Sequence, residues 1–286
     1  MPDSITTAFV QQYKDNIRIL FQQEGSKLRE AVMMEDLQGE IRYFERIAAV
    51  AAQLRTTRHG DTPLLDVDHS RRAVIGLDYE WASLIDRQDL LRTLINPQSS
   101  YVRSAAMALG RSMDDVIIAA ALGNAKAGKD GSTNVALPAA QMIGDGGTNL
   151  TVDKVREAKK LLDSQEVPDS DRWFLLDAEG LQSMLEETEV TSSDFNSVKA
   201  LVAGEMNTFL GFRFVRIERL PQTGNIVSGI AWHKGAMALA MAEDIVTRID
   251  EREDKSYSTQ VYARATFGAV RLEEEGVVQV DYDVSV

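Results

Sequence analysis

Ile47-Ala-Ala-Val-Ala-Ala-Gln-Leu-Arg55-Thr-Thr-Arg58-His-Gly-Asp61-Thr-Pro-Leu-Leu-Asp66-Val-Asp68-His-Ser-Arg71-Arg72-Ala-Val-Ile75-Gly-Leu-Asp-Tyr79-Glu-Trp81 is the stretch on which the fold turns. From about Ile47 to Leu91 the chain reads as two extended segments joined by a charged tip. In the returning segment Ile75, Leu77, Tyr79 and Trp81 point one way while Val74, Gly76, Asp78 and Glu80 point the other, the period of two that a strand imposes. Both signs of charge crowd around Gly60 and Pro63, which suits a turn better than a catalytic pocket. An isolated two-stranded ribbon is marginal in water, so it gains order by lying across another surface. Mixed charge makes that surface a protein. The candidate contact residues are Arg55, Arg58, Asp61, Asp66, Asp68, Arg71, Arg72, Tyr79 and Trp81.

Ahead of the ribbon, residues 6 to about 36 read as helix, with Phe9, Tyr13, Ile17, Leu20, Phe21 and Leu28 at spacings of three or four. Thr6 or Thr7 can cap it, and Gly25 predicts a break that divides it into two shorter helices. The stripe of Phe9, Tyr13, Ile17 and Phe21 either docks on its own core or forms an arm laid on a neighbouring subunit. Beyond the ribbon, Asp86 begins another helical stretch, and Pro97 opens a helix of about 25 residues, at 1.5 Å each, that ends at Gly123. Its small face, Ala105, Ala106, Ala108, Ala119, Ala120 and Ala121, lets a sheet approach closely, so it reads as a spine.

Residues 124 to 149 are rich in Gly, Lys, Asp, Ser and Thr and read as exposed loops. Thr151 then caps a helix to Leu162; a strand is predicted over Arg172–Asp177, helices over Ala178–Glu187 and Asn196–Ala203, and a strand over Gly211–Glu218. That alternation predicts an inserted α/β unit. From Ala236 to Ile249 and from Tyr257 to Val286 the pattern is mostly β, with Glu273-Glu-Glu-Gly276 as a turn and the spine as cover. The fold class is α+β.

At 286 residues and 44% hydrophobic the chain can bury a real core, so disorder is not expected. A net charge of −13 argues against gripping nucleic acid, and zero cysteine removes disulfides and thiolate chemistry together. No run approaches the roughly 18 apolar residues that cross a bilayer, and Met1-Pro-Asp-Ser opens neither a basic nor an apolar leader. No membrane partner is expected. His59 and His69 with Asp61, Asp66 and Asp68 can be written as a metal site or a His-Asp dyad, but no helical i,i+4 pair supports it. Gly144-Asp-Gly-Gly-Thr148 lacks the Gly-Lys-Ser/Thr ending of a nucleotide loop. The runs Glu186–Glu189, Asp250–Asp254 and Glu273–Glu275 lack calcium-loop spacing and read as solvated faces. No catalytic residue, cofactor or metal is therefore expected.

Taken in order, arm, ribbon, spine, α/β insertion and returning strands resemble a major capsid protein of a tailed double-stranded DNA bacteriophage. The resemblance rests on Arg55-Thr-Thr-Arg58-His-Gly-Asp61-Thr-Pro, Ala108-Leu-Gly-Arg-Ser-Met-Asp-Asp115, Thr191-Ser-Ser-Asp-Phe195, and Phe209-Leu-Gly-Phe-Arg-Phe-Val-Arg-Ile-Glu-Arg-Leu-Pro221 leading to Trp232-His-Lys-Gly-Ala236. It implies a Hong Kong 97-like fold: an N-terminal arm over 1–45, an extended β-hairpin loop over 46–88, a peripheral domain over 89–135 and 245–286, and an axial domain over 136–244. Implied with it are self-assembly into pentamers and hexamers of an icosahedral head, and a loop that reaches over the neighbouring subunit. There Arg55, Arg58, Arg71 and Arg72 would meet acids such as Asp250 to Asp254. The implied partners are sister copies, a separate scaffolding protein, a portal, a decoration protein, and packaged DNA touched weakly. Assembly would occur in the host bacterial cytoplasm and the product would be the virion. An encapsulin-like compartment shell shares this fold class, and a soluble enzyme with an unrecognised carboxylate and histidine site is the reading from another class.

Overall fold

The computed structural model describes residues 22–58, 62, 64–86, 98–186 and 208–285. The expected stripe Phe9, Tyr13, Ile17 and Phe21, the tip residue Asp61 and the helix over 196–203 lie outside them. In chain order the first elements are β1 (Met33–Asp36), β2 (Ile41–Ile47), β3 (His69–Ile75), β4 (Leu77–Ile85) and α1 (Gln98–Leu122). Then come β5 (Ala125–Ala127), β6 (Thr133–Val135), β7 (Met142–Ile143), α2 (Val152–Ser164), β8 (Arg172–Leu176), α3 (Ala178–Glu186) and β9 (Phe212–Arg216). The chain closes with β10 (Gln222–Thr223), β11 (Ile226–His233), β12 (Met237–Arg252), β13 (Ser258–Arg271) and β14 (Val277–Asp283). This is a mixed α+β fold in which the strands sort into three sheets.

The first sheet runs β1-β12-β13-β4, and α1 lies across it. The helix presents Ala105, Leu109, Met113, Ile117 and Ala121, four residues apart and all buried, to the face of β13 that carries Ala263, Ala265 and Phe267. Small side chains at both ends of that stripe let the 25-residue helix lie flat on the strands. The opposite face of β13 keeps Tyr262 and Arg264 partly or fully in solvent, as strict alternation requires.

The second sheet runs β7-β14-β11-β8-β9, with β10 paired to β11. Its centre, β11, was not legible as a strand: Ile-Val-Ser-Gly-Ile-Ala-Trp-His is buried on both faces and shows no alternation. Strands β8 and β9 are parallel, and α3 follows β8 in the intervening chain. The expected cap holds, with Thr151 Oγ1 accepting from the Lys154 amide at 3.3 Å at the start of α2.

Three expectations are corrected. Residues 22–36 are not helix: Gly25 sits at φ +70°, a short 3-10 turn covers Arg29–Ala31, and β1 then pairs in parallel with β12. Residues 124–149 are not all loop, because β5, β6 and β7 lie within them. The last strand does not stay with β12 and β13. The run Val277, Val278, Val280 is fully buried, and β14 is paired along both edges, with β11 and β7.

Candidate assembly surface: the ribbon and its root

The third sheet, β2-β3-β5-β6, carries the ribbon. Its outgoing strand lies earlier in the chain than expected, since Ile41 pairs with Ile75 and Ile47 with His69. One further rung, Ala48 N–H to Asp68 O at 2.9 Å, closes the ladder. The returning stretch is also not one strand. It breaks at Gly76, where the chain leaves the ribbon and enters β4 of the first sheet.

That break is steric. A Cβ on Gly268 of β13 would collide with the backbone carbonyl of Ile75, so only glycine lets β3 pass over β13 before turning into β4.

Beyond the last rung the described tip residues form no strand and hold apolar side chains in water: Leu64 is 95% exposed and Leu54 88%, and Ile47 at the end of β2 is 68% exposed. Arg58, Asp66 and Asp68 are exposed there, and Arg55 folds back on the Thr57 carbonyl at 3.0 Å.

The other expected contact residues have partners in their own chain. Arg71 pairs with Glu45 across the strands and lies 4.9 Å from the centre of the Tyr43 ring. Tyr79 stacks on Phe267 with centroids 4.6 Å apart, and Trp81 meets Tyr101 of α1 at 6.4 Å. Burial first, and the Asp115 carboxylate second, push the Tyr79 phenol above its ordinary pKa.

Arg72 is buried. Its Nη2 reaches both oxygens of Glu274 at 2.8 and 2.9 Å, and Arg46 Nη1 approaches the same carboxylate at 3.4 Å. Glu274 thus corrects the reading of its acidic run as a solvated face; it is nearly buried in the turn between β13 and β14. On its other side stands Arg271, whose Nε is 3.8 Å from the carboxylate and whose other nitrogens donate to the carbonyls of Ala121, Gly123 and Val135. Burial pulls Arg271 below the usual arginine pKa, as does Arg72, while Glu274 acts in the opposite sense. Cations at the end of α1 also suit the partial negative charge of a helix C-terminus.

A second anchor holds the segment that precedes β1. Asp114 of α1 is fully buried and accepts from Gln23 Nε2, from Ser26 Oγ at 2.5 Å, and from the amides of Lys27 and Leu28 at 3.1 Å each. Arg111 to Gln22 at 2.6 Å and Arg103 to Glu24 at 3.1 Å flank it. Further on, Trp232 Nε1 donates to the Ala31 carbonyl at 2.8 Å and ties the same segment to β11. The signal was present in the sequence: an acid four residues after Gly110 and four before Ile118, on the apolar stripe, needs donors.

His69 lies exposed at the start of β3. His233 accepts from the Gly235 amide at 3.1 Å, and burial lowers its pKa. Among the described residues no cluster of three His, Cys, Asp or Glu is placed to hold a metal. The chemistry of the surface is apolar contact, ion pairing and backbone pairing.

A family profile described as phage capsid protein matches residues 5–284. The chain belongs to the phage capsid protein family, whose members are structural components of the virion. Among curated proteins none matches it. Solved structures share its fold at low identity. The structure from Mycobacterium phage Che8 is 17% identical with a TM-score of 0.73, over 95% of this chain and 97% of that one. The capsid structure of cyanophage P-SCSP1u is 16% identical with a TM-score of 0.74, over 96% and 93% of the two chains. The capsid asymmetric unit of cyanophage Pam1 is 13% identical with a TM-score of 0.72, over 99% of both.

Proposed function

We propose that this capsid protein builds a closed icosahedral head of pentamers and hexamers around double-stranded DNA, in the Hong Kong 97-type manner. In this reading the sheet covered by α1 is the peripheral domain, the sheet centred on β11 is the axial domain, and residues 41–75 form the extended loop. The observation that carries it is the tip, where Leu54 and Leu64 stand 88% and 95% exposed on a ribbon that the described residues cover only at the root. Burying such leucines on a sister copy stabilises at roughly 25 cal/mol per Å² before ordering costs. Exposed ion pairs from Arg55, Arg58, Asp66 and Asp68 contribute about 0 to 1 kcal/mol each and set register. Arg71 and Arg72 are already engaged at home. A separate scaffolding protein, a portal, a decoration protein and assembly in the host cytoplasm belong to the same reading. So does weak contact with DNA, because a surface of net charge −13 would not hold a packaged genome tightly.

The test uses the last rung of the ladder. Replacing residues 49–67 with an Asn-Gly turn joins Ala48 to Asp68 through a two-residue hairpin loop. The variant is expected to fold and to elute as small species, while the parent gives large particles by gel filtration and electron microscopy. Normal shells from the shortened protein would refute the tip's role, and a parent that remains a small oligomer active on a metabolite would refute the whole reading.

A further inference from the structure

We infer that Glu274 sets the angle at which the ribbon leaves the body of the subunit, and so governs the uniformity of the particle; the second clause rests on the shell-building reading above.

The ribbon is tied to the rest of the chain by few things. Covalently it hangs on the 37–40 connection and on Gly76. By pairing among the described residues it holds two residues of β5, Ala127 opposite Arg72 and Lys126 opposite Ala73, while Arg42 reaches Glu35 at 2.7 Å and the Asp36 carbonyl beside the 37–40 connection, and Arg71 reaches the Lys129 carbonyl at 3.5 Å, all partly in solvent. By apolar contact it contributes Val74 and Phe44 to a small cluster with Leu37, Ala238, Ala240, Val270 and Leu272. Such a root is a pivot unless something fixes it in rotation.

Glu274 is placed to do that. Arg46 comes from one strand of the ribbon and Arg72 from the other, and the register puts both on the face turned to the body. Two points on different strands, held by one carboxylate, fix an orientation where a single contact would leave a hinge. The carboxylate is itself seated on Arg271, whose guanidinium is clamped by three backbone carbonyls, Ala121 and Gly123 at the end of α1 and Val135 at the end of β6. The ribbon is thereby referenced to the longest rigid element of the subunit. A tip loop spanning residues 49–67 beyond the last rung would amplify a small rotation at the root into a larger displacement where a sister copy must be met. Three arginine side chains surround this one carboxylate, and among the described residues no second acid pairs with Arg46, Arg72 or Arg271. Glu274 is a positioning residue; it touches none of the surfaces exposed at the tip.

Two full-length variants test this, Glu274→Gln and the pair Arg72→Met with Glu274→Gln, which removes the Arg72 charge and leaves Arg271 on its three carbonyls should the single change unfold the protein. Hydrogen exchange is measured on unassembled subunits and particle diameters on assembled material. Amides of residues 41–47 and 69–75 are expected to exchange at least tenfold faster, with those of β12 and β13 unchanged, and particles are expected to become heterogeneous in diameter or to remain open. Unchanged ribbon exchange, or particles as uniform as the parent's, overturns the inference. If the parent itself builds no particles, the shell reading fails, while the exchange measurement still decides whether Glu274 orients the ribbon.

Discussion

Gly110 sits in the middle of a long helix, where intrinsic propensity says that alanine should stabilise by about 1 kcal/mol. The tertiary structure says the opposite. A Cβ at Gly110 would lie 2.5 Å from the Gly25 carbonyl carbon, 2.8 Å from its Cα and 2.8 Å from the Ser26 nitrogen, all backbone atoms that cannot swing aside. Restoring ordinary contact displaces the 25–28 segment by about 1 Å, given that non-bonded carbons prefer about 3.5 Å. The Lys27 and Leu28 amides, now 3.1 Å from the Asp114 carboxylate, then pass out of bonding range. Each buried donor left without a partner costs about 1 to 3 kcal/mol, so two cost about 2 to 6. Gly110→Ala should therefore destabilise by about 3 kcal/mol net. At a urea slope of about 3 kcal/mol per molar, the midpoint of unassembled subunits falls by about 1 M. Asp114→Ala removes the same contacts, so the double variant should lose clearly less than the sum of the two singles. A Gly110→Ala protein as stable as the parent, or more so, would refute the crossing of the N-terminal segment over α1.

Three further outcomes are expected. Lys154 Nζ donates to the carbonyls of Asp145, Thr148 and Asn149 at 2.7, 2.8 and 3.1 Å, so Lys154→Met should cost about 2 kcal/mol, consistent with hydrogen bonds to a charged group. Amide exchange over 144–149 should rise with it, and unchanged exchange would count against the ammonium as organiser of that loop. Tyr282 Oη donates to Asp177 Oδ1 at 2.8 Å and accepts from the Asp177 amide at 3.2 Å, and burial pushes its pKa well above the ordinary tyrosine value. The unfolded chain loses that proton first, so this contribution is intact below about pH 10 and is lost as pH rises beyond it. Tyr282→Phe should unfold about 1 to 3 kcal/mol more easily at neutral pH and show a shallower alkaline loss; equal slopes would remove Tyr282 as its source. Gly268→Ala should break the crossing of β3 over β13 and speed exchange at Val74 and Ile75, whereas a silent substitution would show that the crossing has room.

Local information reached a long way in this chain. A 25-residue helix, the capped α2, β8, α3, β9 and the long β12–β13 hairpin were legible because each pairs a clear period with punctuation by Thr, Gly or Pro. A charged ribbon was legible only in part: its first strand lies earlier, at Ile41–Ile47, and the alternating run from Ile75 to Trp81 read as its return lies mostly in β4 of the first sheet. What a period cannot carry is the choice of neighbour. β11, buried on both faces over its second half, loses the alternation that marks a strand, and its pairing with β14 unites residues some fifty positions apart. Gly76 reads as one more pleat until Gly268 is set beneath it. Glu274 looks like an ordinary member of a charge run, and although Asp114 stands out on its helix face, only the folded chain surrounds one with arginines and supplies the other's amide donors. Solvation of a charged side chain depends on every segment that packs around it, so tertiary structure alone decided which acids face water and which hold the subunit together.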